Sequence, residues 1–310
     1  MPAIEVRNLH KRYGEVVAVD DVSLSVDEGE IVGVLGRNGA GKTTTVEAIA
    51  GLRRPDRGTV RVLGLDPHRD RARVRQVLGV QLQSSALHSA LTVRELVGLY
   101  RSFYATGADP DKLIEAVGLT GSRGTRFEKL SGGQQQRLSI ALALVGNPRV
   151  TLLDELTTGL DPEARRHIWA MVEDLRADGV TVLLVSHLME EVERLCDRVA
   201  LIDHGRVVAV DTPVGLVARA GLAQRVRFRA AGRFDPALLD RLPEVTGVDV
   251  AGDQVTVTGD GDLLHHVSTA LVHAGVVATE TRLERATLDD AFLALTGRPF
   301  EACGNGQEDS

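Results

Sequence analysis

Cysteine and lysine are both scarce in this chain. Two cysteines, Cys196 and Cys303, are too few and too far apart in sequence to read as a disulfide scaffold or a zinc module. A reducing, cytoplasmic setting is the expectation. No window approaches the ~20 consecutive apolar residues that cross a bilayer, and the opening MPAIEVRNLHKRYG has no apolar stretch of the signal-peptide kind. The chain is therefore expected neither to span a membrane nor to be secreted by that route. Net basic charge is missing as well: 36 Lys+Arg against 43 Asp+Glu leave −7. General attraction to nucleic acid or anionic lipid is thereby excluded, and no nucleic-acid partner is expected. Internal repeats and low-complexity tracts are absent. Only four lysines occur, Lys11, Lys42, Lys112 and Lys129, so a lysine in a special position stands out.

What remains is ordinary globular material. Apolar residues make up 43% and charged residues 25%, which excludes disordered and fibrous architectures. A length of 310 residues, at roughly 150 per domain, suggests about two domains. Short Val/Ile/Leu runs bounded by Gly, Asp or Asn predict buried strands at Ile31–Leu35, Gly79–Leu82, Val150–Leu153, Thr181–Val185 and Val199–Ile202. Helical patterns lie between them at Lys42–Leu52, Val93–Tyr104, Gly132–Val145 and Pro162–Arg176. The alternation predicts an α/β domain with a mostly parallel sheet covered on both faces.

After about Leu216 the texture changes. The order becomes strand (Arg225–Ala230), helix (Pro236–Leu242), a hairpin (Val248–Ala251 and Gln254–Thr258), helix (Asp262–Ala274) and strand (Val276–Glu280), the ferredoxin-like α+β pattern. A last helix sets Leu288, Ala291, Phe292 and Leu295 on one apolar stripe that must dock on something. The expected division is thus a first domain over 1–220, a small α+β domain over 221–300 and a frayed tail over 301–310. His265 and His266 adjoin on a predicted helix without nearby cysteine, and surface or packing roles are expected of them.

Directly after the strand Ile31–Leu35 comes GRNGAGKT, Gly36 to Thr43, opening a helix. Glycines let successive backbone N–H groups face inward as an anion nest. The helix N-terminus adds positive potential, Lys42 reaches the β- and γ-phosphates, and Thr43 offers a hydroxyl to Mg²⁺. A Gly-rich turn would match the pattern by accident, but strand before, helix after and a rare lysine in place argue for a phosphate loop. In VTLLDEL a buried strand ends in two acids: Asp154 is placed to hold Mg²⁺, directly or through water, and Glu155 to orient or deprotonate attacking water. Gln83 and His187 also follow apolar strands, so polar groups from four strand ends converge on the crevice where open α/β sheets bind ligands. LSGGQQQR, Leu130 to Arg137, reads as a capping box of Ser131 and Gln134. A cap does not need Gly132 and Gly133, which cost roughly 1 kcal/mol each against alanine, so a helix tip bare of side chains is a second anion site.

These motifs together resemble the nucleotide-binding subunit of ATP-binding cassette (ABC) transporters over residues 4 to 216, a P-loop NTPase cassette with a helical signature subdomain. The resemblance implies that Gly36, Arg37, Asn38, Gly39, Ala40, Gly41, Lys42, Thr43 and Thr44 hold ATP, that Tyr13 stacks on adenine, and that Thr158 to Asp161 form the D-loop, with Asp161 at the nucleotide. It also implies Thr43, Gln83 and Asp154 as the magnesium set, with Glu155, His187 and Gln83 as catalytic groups, His187 being the switch histidine that contacts the γ-phosphate. Leu156 departs from the family's usual proline, which leaves the turn toward the D-loop less constrained.

The ending ATLDDAFLALTG, with LMEEVERLCDRVALIDHGRVVA before it, resembles the daunorubicin-resistance type of exporter subunit. That likeness implies two copies sandwiching ATP head to tail, Ser131, Gly132 and Gly133 of one facing the γ-phosphate held by the other. It also implies a separate multi-pass permease, a place at the cytoplasmic face of the membrane, and export of an antibiotic, another hydrophobic drug or a lipid. An import subunit with a C-terminal regulatory domain, or a soluble cassette ATPase acting on ribosomes or DNA, is the alternative. A soluble cassette usually carries two cassettes or a coiled-coil insertion, and neither is present.

Overall fold

The computed structural model describes residues 2–82, 87–231, 235–284 and 286–297. Its N-terminal strands are half-buried. β1 (Ile4–Tyr13) and β2 (Val16–Val26) pair antiparallel, Ile4 opposite Val26 and Tyr13 opposite Val16. β3 (Ile31–Leu35) and α1 (Lys42–Ile49) follow, and then β4 (Arg57–Val62), which pairs antiparallel with the other edge of β1. This three-stranded sheet, in the order β2-β1-β4, lies outside the strands expected from apolar runs. Its pairing shifts register between Val6 and Leu9 and again between Lys11 and Arg12. Bulges of that kind interrupt the period-2 alternation by which a one-sided strand is recognised.

The larger sheet collects α2 (Arg71–Val77), β5 (Leu78–Gln81), α3 (Val93–Arg101), α4 (Pro110–Ala116), α5 (Gly132–Leu144), β6 (Val150–Asp154), α6 (Pro162–Ala177), β7 (Thr181–Val185), α7 (Met189–Leu195), β8 (Arg198–Asp203) and β9 (Arg206–Asp211) around it. Six strands run in the order β5-β6-β7-β3-β8-β9, and only the β8–β9 pair is antiparallel. The mostly parallel sheet is therefore as the alternation predicted. Every residue of β3, β6 and β7 is buried, as parallel strands covered on both faces require, and each such Val, Leu or Ile contributes about 1.5–3 kcal/mol through removal from water. Parallel direction has a second consequence: the carboxyl ends of β3, β5, β6 and β7 lie along one edge. Helices α3, α4 and α5 pack on one another as a helical group. Cys196 is buried beside Gly33, and burial pushes its thiol pKa up.

The chain divides into two compact units between Pro213 and Val214, within α8 (Pro213–Arg219). The second unit runs β10 (Gln224–Ala231), α9 (Ala237–Asp240), β11 (Val245–Ala251), β12 (Gln254–Gly259), α10 (Leu263–His273), β13 (Val277–Glu284) and α11 (Leu288–Thr296). Its four strands pair antiparallel throughout in the order β11-β12-β10-β13. Val226 and Phe228 of β10, Val255 and Val257 of β12, and Val267 and Leu271 of α10 share one core. On α11, Leu288, Ala291 and Phe292 are fully buried while Leu295 is half-buried. Glu244 lies 3.5 Å from His266, an acidic neighbour that spacing did not reveal. Among the described residues no helix is long and apolar enough to cross a membrane.

Candidate functional site: a phosphate cradle and its acidic edge

The loop after β3 is shaped by glycines that nothing larger can replace. A Cβ on Gly36 would sit 2.2 Å from the Ile202 carbonyl oxygen, and Gly41 has φ +102° with its Cβ position 2.5 Å from the Ala18 oxygen. The chain is thereby pressed against β2 and β8, and α1 opens immediately with N–H groups that have no carbonyl one turn back. Lys42, only 8% exposed, folds back so that Nζ donates to the carbonyls of Gly36 at 2.6 Å and Arg37 at 3.0 Å. Burial pulls its pKa down, and the charges of Glu155 and Asp154 push back up. A lysine held this way is an ammonium aimed across the loop, next to two acids. Gly36, Ala40 and Gly41 are buried, Arg37 and Thr44 half-buried, and Asn38, Gly39 and Thr43 exposed. Thr45, by contrast, is fully buried with its hydroxyl on the Gly41 carbonyl at 2.9 Å.

The acidic edge is built by β6 and β7. Asp154 is buried at the carboxyl end of β6, and its backbone N–H donates to Oε1 of Gln81 on β5 at 3.0 Å. Gln81 is itself 3% exposed and was absent from the expected site; its one signal is a polar residue inside an apolar strand. Gln83, expected both as a catalytic group and as a magnesium ligand, lies outside the described residues. Glu155 takes a left-handed backbone, φ 52°, which turns its side chain away from the strand direction. Its N–H is tied to the Val185 carbonyl at 2.8 Å, and Oε1 lies 3.5 Å from Nδ1 of His187, just beyond β7. Leu156 is fully buried, so the turn that lacks proline is anchored by its side chain instead. Thr157, missed from sequence, is buried too.

Ser131 caps α5: its hydroxyl accepts from the Gln134 N–H at 3.3 Å while the Gln134 side chain accepts from the Ser131 N–H at 2.9 Å. A Cβ on Gly132 would meet nothing within 4 Å, and one on Gly133 only Leu160 and Ala164 at ordinary contact distances of 3.5 and 3.7 Å. Nothing among the described residues asks for glycine at either place. Asp161 caps α6, accepting from the N–H groups of Glu163 and Ala164, and those bonds hold its carboxyl below the usual range. Tyr13, 40% exposed at the end of β1, is flanked by Lys11 Nζ at 5.7 Å and Arg53 Cζ at 5.9 Å from its ring centre.

A family model described as ABC transporter matches residues 19–158, from β2 through the phosphate loop to the acidic edge. Over 305 residues, 95% of this chain and 96% of the relative, the sequence is 39% identical to the daunorubicin resistance ATP-binding protein DrrA3 of Streptomyces coeruleorubidus. The chain belongs to the ABC transporter family. As a cassette of that family it binds and hydrolyses ATP. A Nod factor export ATP-binding protein I of Paraburkholderia xenovorans is 38% identical over 96% of this chain and 98% of that protein. Among solved structures, a dimeric post-hydrolysis ATP-binding cassette bound to ADP and Pi superposes with a TM-score of 0.63 at 28% identity, covering 67% of this chain and 98% of that one.

Proposed function

We propose that this chain powers export of a hydrophobic compound, a drug or a lipid, through a separate multi-pass permease at the cytoplasmic face of the membrane. The observation that carries the reading is that likeness to a drug-resistance and to an export ATP-binding protein runs through both units of the chain, 95% and 96% of it, and not through the cassette alone. An import subunit or a soluble cassette would share the first unit without that continuity. Residues 1–220 are the ATP-binding domain, and 221–300 a ferredoxin-like accessory domain.

Two copies close on ATP head to tail. What supports this is the bare tip of α5: among the described residues nothing gives Gly132 and Gly133 a steric reason, whereas a partner's triphosphate brought against Ser131 and the N–H groups of that helix supplies one. The dimeric cassette structure that this chain resembles points the same way. Gly36 to Thr44 cradle the phosphates of the first copy, Tyr13 stacks on the base, and Asp161 approaches from the D-loop. For magnesium the donor set is suitable: the Thr43 hydroxyl and the buried Asp154 carboxylate are hard oxygens beside the cradle. There the ion would neutralise phosphate charge; Gln83 would complete the set.

Glu155 accepts the proton of the attacking water as the γ-phosphoryl group leaves ADP, a general-base role worth about 10²- to 10⁴-fold. His187, next to Glu155, contacts the γ-phosphate and links its presence to the strand end. Lys42 neutralises developing charge without reorganisation, because its ammonium is already fixed by two carbonyls. An open cavity of ≈ 660 Å³ supports the permease: Leu52, Tyr100, Phe103 and Leu142 make it apolar, and Gln81 on its wall bonds the Asp154 backbone. Tagged full-length chain should capture a multi-pass membrane protein from its own cells. Capture of ribosomes or DNA instead would overturn the reading.

A further inference from the structure

Glu191 of α7 is fully buried, in a cassette where acids otherwise keep to the surface or to the site edge. Oε1 accepts two hydrogen bonds, from the Thr157 hydroxyl at 2.9 Å and from the Trp169 indole N–H at 3.1 Å, and Oε2 has no donor among the described residues. Burying a half-satisfied carboxylate is costly, and a leucine or methionine would fill the space without that cost. What an apolar side chain would not do is join three elements. Thr157 stands two residues after Glu155. Trp169 lies on α6, the helix capped by Asp161. Glu191 itself lies in the first turn of α7, which opens just after His187. The D-loop, Thr158 to Asp161, is thus fastened on both sides to the helix that begins next to the switch histidine. Arg194, also on α7, covers the Trp169 ring at 5.0 Å and adds a second clasp to the same joint.

We propose that Glu191 is a positioning residue for ATP hydrolysis, holding the loop after Glu155 and the start of the D-loop in register with His187. The inference rests on the roles given to Glu155 and His187 above. Glu191 touches neither nucleotide nor water. It acts by making the strand end of β6 and the strand end of β7 move as one body, so that loss of a hydrogen bond at the joint slows turnover without weakening ATP binding.

The test is steady-state hydrolysis by the full chain over a range of ATP, with affinity measured separately by titration of a fluorescent ATP analogue. Thr157→Val, which keeps the side-chain shape and drops the hydroxyl, should lower kcat about tenfold and leave affinity within twofold, an effect of the size of one net hydrogen bond. Thr157→Ser should recover most of kcat, because the donor returns. A Thr157→Val enzyme within twofold of the parent in kcat, or a Thr157→Ser enzyme as slow as Thr157→Val, would overturn the proposal. If Thr157→Val does not fold, Trp169→Phe removes the other donor and carries the same expectation. Glu155→Gln run alongside separates the two levels: turnover retained there overturns the base assignment, whereas turnover lost there beside a parent-like Thr157→Val overturns the Glu191 role alone.

Discussion

Glu155, the base in the proposed mechanism, is held in a left-handed conformation, φ 52°. For an L residue with a Cβ that conformation costs about 1–2 kcal/mol, and glycine does not incur the cost. Glycine has its own penalty, about 0.4–1 kcal/mol relative to alanine through the freer unfolded chain. The comparison to make is therefore Glu155→Gly against Glu155→Ala. Both lose the carboxylate and its neighbourhood with His187 and Lys42, so those effects cancel, and only the Cβ differs. The two figures leave Glu155→Gly more stable by about 1 kcal/mol, reversing the usual order of the two residues. Equilibrium urea unfolding checks it, followed by emission from Trp169, which is the single tryptophan and lies in α6 of the cassette. With a slope of a few kcal/mol per molar, the midpoint of Glu155→Gly should be higher by about 0.3 M at unchanged slope. Equal midpoints, or a higher one for Glu155→Ala, would refute the claim that strain is stored at this residue.

Gly132→Ala and Gly133→Ala meet no steric obstacle among the described residues, so each should stabilise the isolated subunit by up to about 1 kcal/mol while depressing hydrolysis; a thermal melt beside a turnover assay tests the pair, and unimpaired hydrolysis would remove the second anion site. Lys42→Ala should abolish ATP binding, so that ATP no longer raises the melting temperature; at a hundredfold excess over Kd the parent gains about 2.7 kcal/mol. Tyr13→Ala should weaken ATP by about 1 kcal/mol, the value of one lost base stack, and equal affinity by titration would leave Tyr13 as a surface aromatic. Asp161 has a folded-state pKa below its ordinary value, so its stabilisation is present above the usual carboxylate range and fades as pH falls through the folded value. Melting temperatures of Asp161→Ala and parent should therefore differ at neutral pH and converge in acid; a constant gap would contradict the cap assignment.

Strands covered on both faces were legible because their whole composition is apolar: Ile31–Leu35 and Thr181–Val185 coincide with the observed β3 and β7. The tight loop after β3 was legible for a related reason, since its glycines and lysine shape the backbone within eight consecutive residues. The sheet β2-β1-β4 was not, because bulged, half-exposed strands carry neither a continuous apolar run nor an unbroken alternation. Gln81 shows the same limit at the site. That Gln81 reaches the Asp154 backbone depends on the register of β5 against β6, Gln81 opposite Leu153, and register is a property of the pair.

The sequence by itself determined the buried parallel strands and set the candidate phosphate and acidic motifs at their ends, since both rest on short-range backbone geometry. Only the tertiary structure decided that Glu191 meets Thr157 and Trp169, 34 and 22 residues away, and that no described residue crowds Gly132. Those facts follow from placing β7 between β6 and β3, and strand order is settled by the packing of the whole core.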